Sequence, residues 1–145
     1  MGAVELLLSL IKTFEGCKLT AYWDSTGKCW TVGWGCTGPG VTDGTVWTQQ
    51  YADASLRQRV QRAIFESCAA SPTLLHATTH QQAAIADFVY NLGLSGYTQH
   101  SLKPLVDASN WVAASEEIKK FCHSGGVELP GLVKRRLLES SDLLL

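Results

Sequence analysis

The chain has 145 residues, a formal net charge of −1, 46% hydrophobic and 17% charged residues. This suits one domain or a compact two-lobed one and excludes a disordered chain. With no apolar run near ~18 residues a transmembrane helix is excluded, and Lys134-Arg135-Arg136 as the one basic block argues against nucleic-acid binding.

In chain order, Val4, Leu7, Leu8, Ile11 and Phe14 recur at helical spacing and predict an amphipathic first helix that ends at Glu15, with Gly16 as its C′ residue. The run Leu6–Ile11 is preceded by Glu5 and broken by Lys12, so a first helix is expected here and not an export signal. A carboxylate at a helix C-terminus faces the negative end of the macrodipole, which favours its neutral form and suits a general acid.

Leu19–Trp23 alternates as a strand does, and Asp24-Ser25-Thr26-Gly27-Lys28 is turn chemistry, with positive φ expected at Gly27. Cys29–Val32 predicts the returning strand, and Gly33-Trp34-Gly35 a sharp bend or close backbone approach. One acid-prone carboxyl, Glu15, thus stands near an exposed, turn-borne one, Asp24. Glycoside hydrolysis uses two carboxyl groups in different environments across a sugar. A Glu and an Asp nine apart are common, however, and Tyr22, Trp23, Trp30 and Trp34 fit hairpin core more often than sugar platforms.

Residues 37–44 read as an exposed loop. Thr48 predicts an N-cap for a long helix, Gln49–Cys68, with Tyr51, Ala54, Val60, Ile64 and Cys68 near one face and Arg57, Arg59 and Arg62 solvated. Pro72 suits a first helical turn. Thr79 and Gln82 have capping-box spacing before a nearly all-apolar helix, Ala83–Leu92, which should be buried and end at Gly93. Asn110 caps a helix expected over Trp111–His123 and ended by Gly125-Gly126, with Glu116 and Lys120 as an i,i+4 pair. Pro130 opens a last helix through Leu132, Val133, Leu137 and Leu138.

Five cysteines (Cys17, Cys29, Cys36, Cys68 and Cys122) without CxxC spacing predict reduced thiols, with a regulatory or structural disulfide between Cys29 and Cys36 as the less favoured alternative. No metal or cofactor is expected. His76 and His80 are four apart but lack the intervening Glu of a zinc-hydrolase helix.

The stretch Glu15-Gly16, Ala21-Tyr22, Asp24, Gly27 and Thr31-Val32-Gly33-Trp34-Gly35 resembles the phage-type lysozymes, glycoside hydrolase family 24. So does Pro130-Gly131-Leu132 followed by Arg135-Arg136, and, more loosely, the buried helix with Gly96-Tyr97-Thr98 and Ser101-Leu102. Two positions depart from the family. The interval from Asp24 to Thr31 is one residue longer, and Cys36 stands where a His commonly follows the last Gly.

The resemblance implies an α+β, mostly helical, lysozyme-like two-lobed fold over 1–145. A β-hairpin lobe at roughly 17–47 would be joined by a long helix to a helical lobe, roughly 48–145 plus the N-terminal helix. It implies a muramidase cleaving the β-1,4 bond between N-acetylmuramic acid and N-acetylglucosamine in peptidoglycan. Glu15 would be the general acid, with Asp24 and Thr31 positioning the attacking water in an inverting reaction. Tyr90 and Ser101 become candidates for lining the substrate cleft, though core packing for Tyr90 and a helix cap for Ser101 fit as well. One of Lys134, Arg135 or Arg136 would reach towards Glu15, or else lie solvated. The expected setting is a monomeric phage endolysin held in the host cytoplasm until a holin-like permeabiliser admits it to peptidoglycan glycan strands, without membrane insertion. Two other readings stand beside it: a lytic transglycosylase, which would not need Asp24 or Thr31, and a catalytically decayed sugar-binding module.

Overall fold

The computed structural model describes residues 1–145. The elements run α1 (Ala3–Phe14), β1 (Lys18–Asp24), β2 (Cys29–Gly33), α2 (Gln49–Ala70), a 3-10 turn (Pro72–His76), α3 (Thr79–Leu92), α4 (Leu94–Thr98), α5 (Leu102–Asp107), α6 (Trp111–Ile118), β3 (His123–Ser124), β4 (Val127–Glu128) and α7 (Pro130–Leu143). The fold is α+β and mostly helical, with small antiparallel hairpins, as expected. No helix is long and apolar enough to cross a membrane. The chain divides into two compact units, residues 8–59 and residues 1–7 with 60–145.

The first unit is built on the β1–β2 hairpin. Its register pairs Tyr22 with Thr31, Trp23 with Trp30 and Asp24 with Cys29, after an irregularity between Lys18 and Tyr22. The other edge of β1 takes backbone bonds from residues 45–47: Ala21 N–H donates to Thr45 O and Trp47 N–H to Leu19 O, both at 2.8 Å. A second tight turn follows β2, where Val32 and Cys36 exchange both backbone hydrogen bonds around Gly33-Trp34-Gly35. Thr48 caps α2 through its hydroxyl, which accepts from Tyr51 N–H at 3.1 Å. The buried face of α2 is Ala52, Leu56, Val60, Ala63 and Ser67, whereas Tyr51 and Ala54 are exposed. Val60 is buried and Ile64 and Cys68 are partly buried, as expected, so periodicity placed the C-terminal part of the stripe and missed only its first turns.

The second unit is helical. Leu74, Ala84, Ile85, Phe88, Val89, Tyr97, Leu102, Val106, Ala114, Ile118 and Leu143 form one buried cluster. The centre is α3, apolar nearly all round as its sequence requires; full burial of Ile85 or Phe88 contributes about 2–3 kcal/mol each. Its capping box sits one residue earlier than the spacing predicted, on Thr78 and Gln81. Consecutive threonines at 78 and 79, and glutamines at 81 and 82, make the two registers equivalent in sequence.

Three further expectations are corrected here. Asn110 does cap α6, but the helix ends at Ile118 and not His123, because Gly125-Gly126 turns a hairpin instead of terminating a helix. Glu116 pairs with Lys119 and Glu117 with Lys120, one position off the predicted i,i+4 partner. On α7, Arg135, Arg136 and Glu139 are buried while Leu137 and Leu138 are exposed, so the solvated alternative for the basic block holds for Lys134 alone.

Those buried charges form one network. The Arg135 guanidinium forks onto Asp87 through Nε at 2.8 Å and a terminal nitrogen at 2.7 Å. Arg136 pairs with Glu139, donates to Asn91 Oδ1 at 2.8 Å and stacks 5.0 Å from the Phe88 ring centroid. Burial pushes the Asp87 carboxyl up, but the hydrogen bonds from Arg135 and Glu139 and the neighbouring guanidinium charges bring it below its ordinary value. Glu139 goes the other way, well above its ordinary value, first through burial and then through the neighbouring Asp87.

Candidate active site

Glu15, Asp24 and Thr31 all lie in the unit of residues 8–59. Glu15 follows α1 directly, and its N–H still closes a helical bond to Ile11 O at 2.8 Å. Its carboxyl therefore leaves the helix at the carbonyl end, as predicted. Gly16 does not take positive φ, so no left-handed cap follows. Gly35 lies against Glu15 instead: with φ +79°, a β-carbon placed on it would stand 3.0 Å from Glu15 Oε2. The close approach read from Gly33-Trp34-Gly35 is an approach to this carboxyl.

The turn after β1 holds Asp24. Thr26 N–H donates to Asp24 Oδ1 at 3.0 Å, an Asx turn. Positive φ falls on Lys28 (51°) and not on Gly27. Gly27 leaves room for the carboxyl: a β-carbon there would meet Asp24 Oδ2 at 3.0 Å and Cys29 Sγ at 3.2 Å, both side-chain ends. The Asp24–Cys29 pair closes a loop of residues 25–28, which absorbs the longer interval before Thr31.

Strand period now sorts the hairpin side chains. Residues two apart on a strand share a face, and directly paired residues do too. Tyr22, Asp24, Cys29 and Thr31 are therefore on one face, and Trp23 and Trp30 on the other, packed edge to face with centroids 5.6 Å apart. The two tryptophans pack on each other, but Trp23 remains exposed and Trp30 only partly buried. Thr31 is buried, and its hydroxyl lies 3.9 Å from Cys29 Sγ. Burial pushes the Tyr22 phenol up, and the charges of Asp24, Glu15 and Cys29 push it further. One ring thus senses both carboxyls and the thiol, with the Lys18 ammonium 5.8 Å from its centroid.

Trp34 is fixed in place next to this group. Its Nε1–H donates to Asp53 Oδ1 at 2.8 Å, Lys12 Nζ stands 5.2 Å from its ring, and Arg59 donates to its backbone oxygen at 3.1 Å. Arg59 is therefore an anchor for the bend and not a solvated charge. Hydrogen bonds from Trp34 and then Gln49 hold the Asp53 carboxyl below its ordinary range. Cys29 and Cys36 do not face each other. Cys29 reaches Thr31, while Cys36 reaches Thr37 O and Ser55, and all five cysteines are free thiols.

Tyr90 and Ser101 belong to the helical unit. Tyr90 is partly buried near the end of α3. Ser101 is exposed, makes no capping bond to α5, and donates instead to Glu117 Oε1 at 2.5 Å. The cap alternative for Ser101 therefore fails. Lys134 is exposed; Arg135 and Arg136 are the buried network residues described above. Tyr22 and Cys29, which sequence named only as a hairpin aromatic and as a thiol, complete the Asp24–Thr31 face. Counting back two from Asp24 finds Tyr22, but Cys29 needs the turn length, which only the register reveals.

Comparison with known proteins fits this arrangement. The phage lysozyme family model matches residues 12–139. The chain is 33% identical over 147 residues to the endolysin of Acyrthosiphon pisum secondary endosymbiont phage 1, covering 97% of each. It is 35% identical to the endolysin of Bacillus phage B103, covering 99% of this chain but 54% of that relative, about half its length. The endolysin from Escherichia coli O157:H7 phage FAHEc1 has the same fold, with a TM-score of 0.85 at 26% identity over 99% of this chain and 94% of that one. With Glu15, Asp24 and Thr31 inside the matched region and the lysozyme fold around them, the chain belongs to the phage lysozyme family of peptidoglycan-hydrolysing glycoside hydrolases.

Proposed function

We propose that the protein is an endolysin muramidase, hydrolysing the β-1,4 bond between N-acetylmuramic acid and N-acetylglucosamine. The observation that carries this reading is that Glu15 and Asp24 lie in one compact unit, Glu15 with Gly35 against it and Asp24 with Gly27, and that Asp24 shares a hairpin face with Thr31. Glu15, at the carbonyl end of α1, donates a proton to the leaving glycosidic oxygen. Asp24, oriented by Thr26 N–H, accepts the proton of the attacking water while the Thr31 hydroxyl on the same face orients it. Inversion needs about 6.5–9.5 Å between the carboxyls to admit that water. Tyr90 and Ser101, in the helical unit, are the candidates for contact with the glycan. The enzyme acts as a monomer on peptidoglycan strands, without nucleic acid and without inserting in the membrane. It waits in the host cytoplasm until a holin-like permeabiliser lets it pass.

The test is digestion of purified peptidoglycan by wild type and Glu15→Gln, with products resolved by mass spectrometry. Reducing-end muropeptides from wild type alone support the assignment. Anhydro-muramyl ends would move it to a lytic transglycosylase and leave Asp24 and Thr31 without a role. No cleavage by folded, reduced wild type would leave a sugar-binding module.

A further inference from the structure

Away from the carboxyl pair, the β3–β4 hairpin gathers three metal-binding side chains. Cys122, His123 and Glu128 offer a sulfur, an imidazole nitrogen and a carboxylate oxygen, all within 4.8 Å of one another. The backbone fixes their placement. His123 pairs directly with Glu128, and Leu129 N–H donates to Cys122 O at 3.0 Å. Gly125 and Gly126, both at positive φ (58° and 79°), make the two-residue turn that a tight hairpin requires.

The spacing can be checked against coordination chemistry. Zn–S of about 2.3 Å and Zn–N of about 2.05 Å at a tetrahedral angle put sulfur and nitrogen ~3.6 Å apart. Cys122 Sγ lies 3.6 Å from His123 Nδ1. These two donors already stand where one zinc ion would span them. Glu128 is exposed, so its carboxylate swings in from the facing strand at little cost. Thiolate with imidazole selects zinc over the hard cations magnesium and calcium, which prefer oxygen.

We propose that Cys122, His123 and Glu128 form a three-ligand zinc site with water at the fourth corner. As the Zn–S bond forms, Cys122 gives its proton to solvent; His123 binds as neutral imidazole through Nδ1 and Glu128 as carboxylate, with no change of oxidation state. The ion bridges both strands of a hairpin that two-residue strands alone hold only marginally. It thereby fixes the segment from which Pro130 starts α7. This site departs from the sequence expectation of no metal, which weighed His76 and His80 only. Those pairings treated Cys122 and His123 as helical, where the strand register is invisible.

A Cys122 S–H to His123 hydrogen bond fits the same 3.6 Å, and cobalt substitution separates the two readings. Reduced full-length protein is titrated with Co²⁺ and then with Zn²⁺. The site gives a thiolate-to-cobalt charge-transfer band at 1:1 stoichiometry that zinc abolishes, and zinc raises Tm. Cys122→Ser removes the band, and the exposed variants His123→Ala and Glu128→Gln weaken cobalt binding and remove the zinc-dependent rise in Tm. Cys29→Ser/Cys36→Ser keeps the band, since those thiols lie elsewhere. Absence of the band in reduced wild type overturns the site, as does binding unchanged by His123→Ala or Glu128→Gln. The two exposed variants keep the test valid if the buried Cys122 cannot be replaced.

Discussion

A β-carbon on Gly35 would strain a backbone at φ +79° and press within 3.0 Å of Glu15 Oε2. Gly35→Ala is therefore expected to lose about 1–2 kcal/mol of stability and, by displacing the acid, about 10²-fold in kcat. Gly27 provides a contrast. Its φ is ordinary, and the atoms a β-carbon would meet are side-chain ends, Asp24 Oδ2 and Cys29 Sγ. Gly27→Ala should leave Tm nearly unchanged, within about 0.5 kcal/mol, yet lower kcat because Asp24 must move. Parallel Tm and turnover measurements on the two variants check this; a Gly27→Ala enzyme of full activity would remove Asp24's position from the mechanism. Sequence marked both glycines but gave Gly27 the wrong reason. Turn composition reports that a chain reverses there, and not which residue bears the positive φ when Lys28 can bear it instead.

Among the elements, α7 shows how an apolar pattern can mislead. Leu137 and Leu138 are exposed while Arg135, Arg136 and Glu139 are buried, because Asp87 on α3 supplies a buried partner that local sequence cannot reveal. Removing one member of a buried, forked ion pair leaves the other charge desolvated. Asp87→Ala should thus destabilise by about 3–5 kcal/mol, as urea denaturation would measure, and a loss below about 1 kcal/mol would show that Arg135 finds another partner. Helices with strong local signals, such as α3 with its capping threonine and closing Gly93, were legible to within a residue or two. The stretch after Ile118 was not, since a pair of glycines ends a helix and turns a hairpin with equal ease.

For the molecule as a whole, the buried network makes stability depend on pH. The Glu139 carboxyl binds its proton more tightly in the folded chain than at its ordinary value of 4.5. Its stabilising contribution is complete below that value and is lost as pH rises through the raised folded value. Asp87, held low, contributes in the opposite sense: its share is present above its ordinary value of 3.8 and is lost as pH falls through the lower folded one. Glu139→Gln keeps the shape and removes the titration. The Tm of the variant minus that of wild type should therefore increase as pH rises above Glu139's ordinary value of 4.5; a flat difference would mean that Arg136 keeps Glu139 ionised throughout. The helices and the hairpin were open to inspection in the chain because they rest on local spacing, whereas the fold class and the pairing of Glu15 with Asp24 came from the family resemblance of the motif around them. The charge network was hidden because its partners, Asp87 and Arg135, stand 48 positions apart.

The five free thiols also supply a built-in set of clocks. Cys17, Cys29 and Cys36 lie in one unit, Cys68 and Cys122 in the other, and Cys122 is the most enclosed. Alkylation under native conditions proceeds at each sulfur only as fast as its surroundings open. Mass-resolved labelling of the untouched wild-type chain would therefore time the breathing of each half separately, without a dye or an introduced residue.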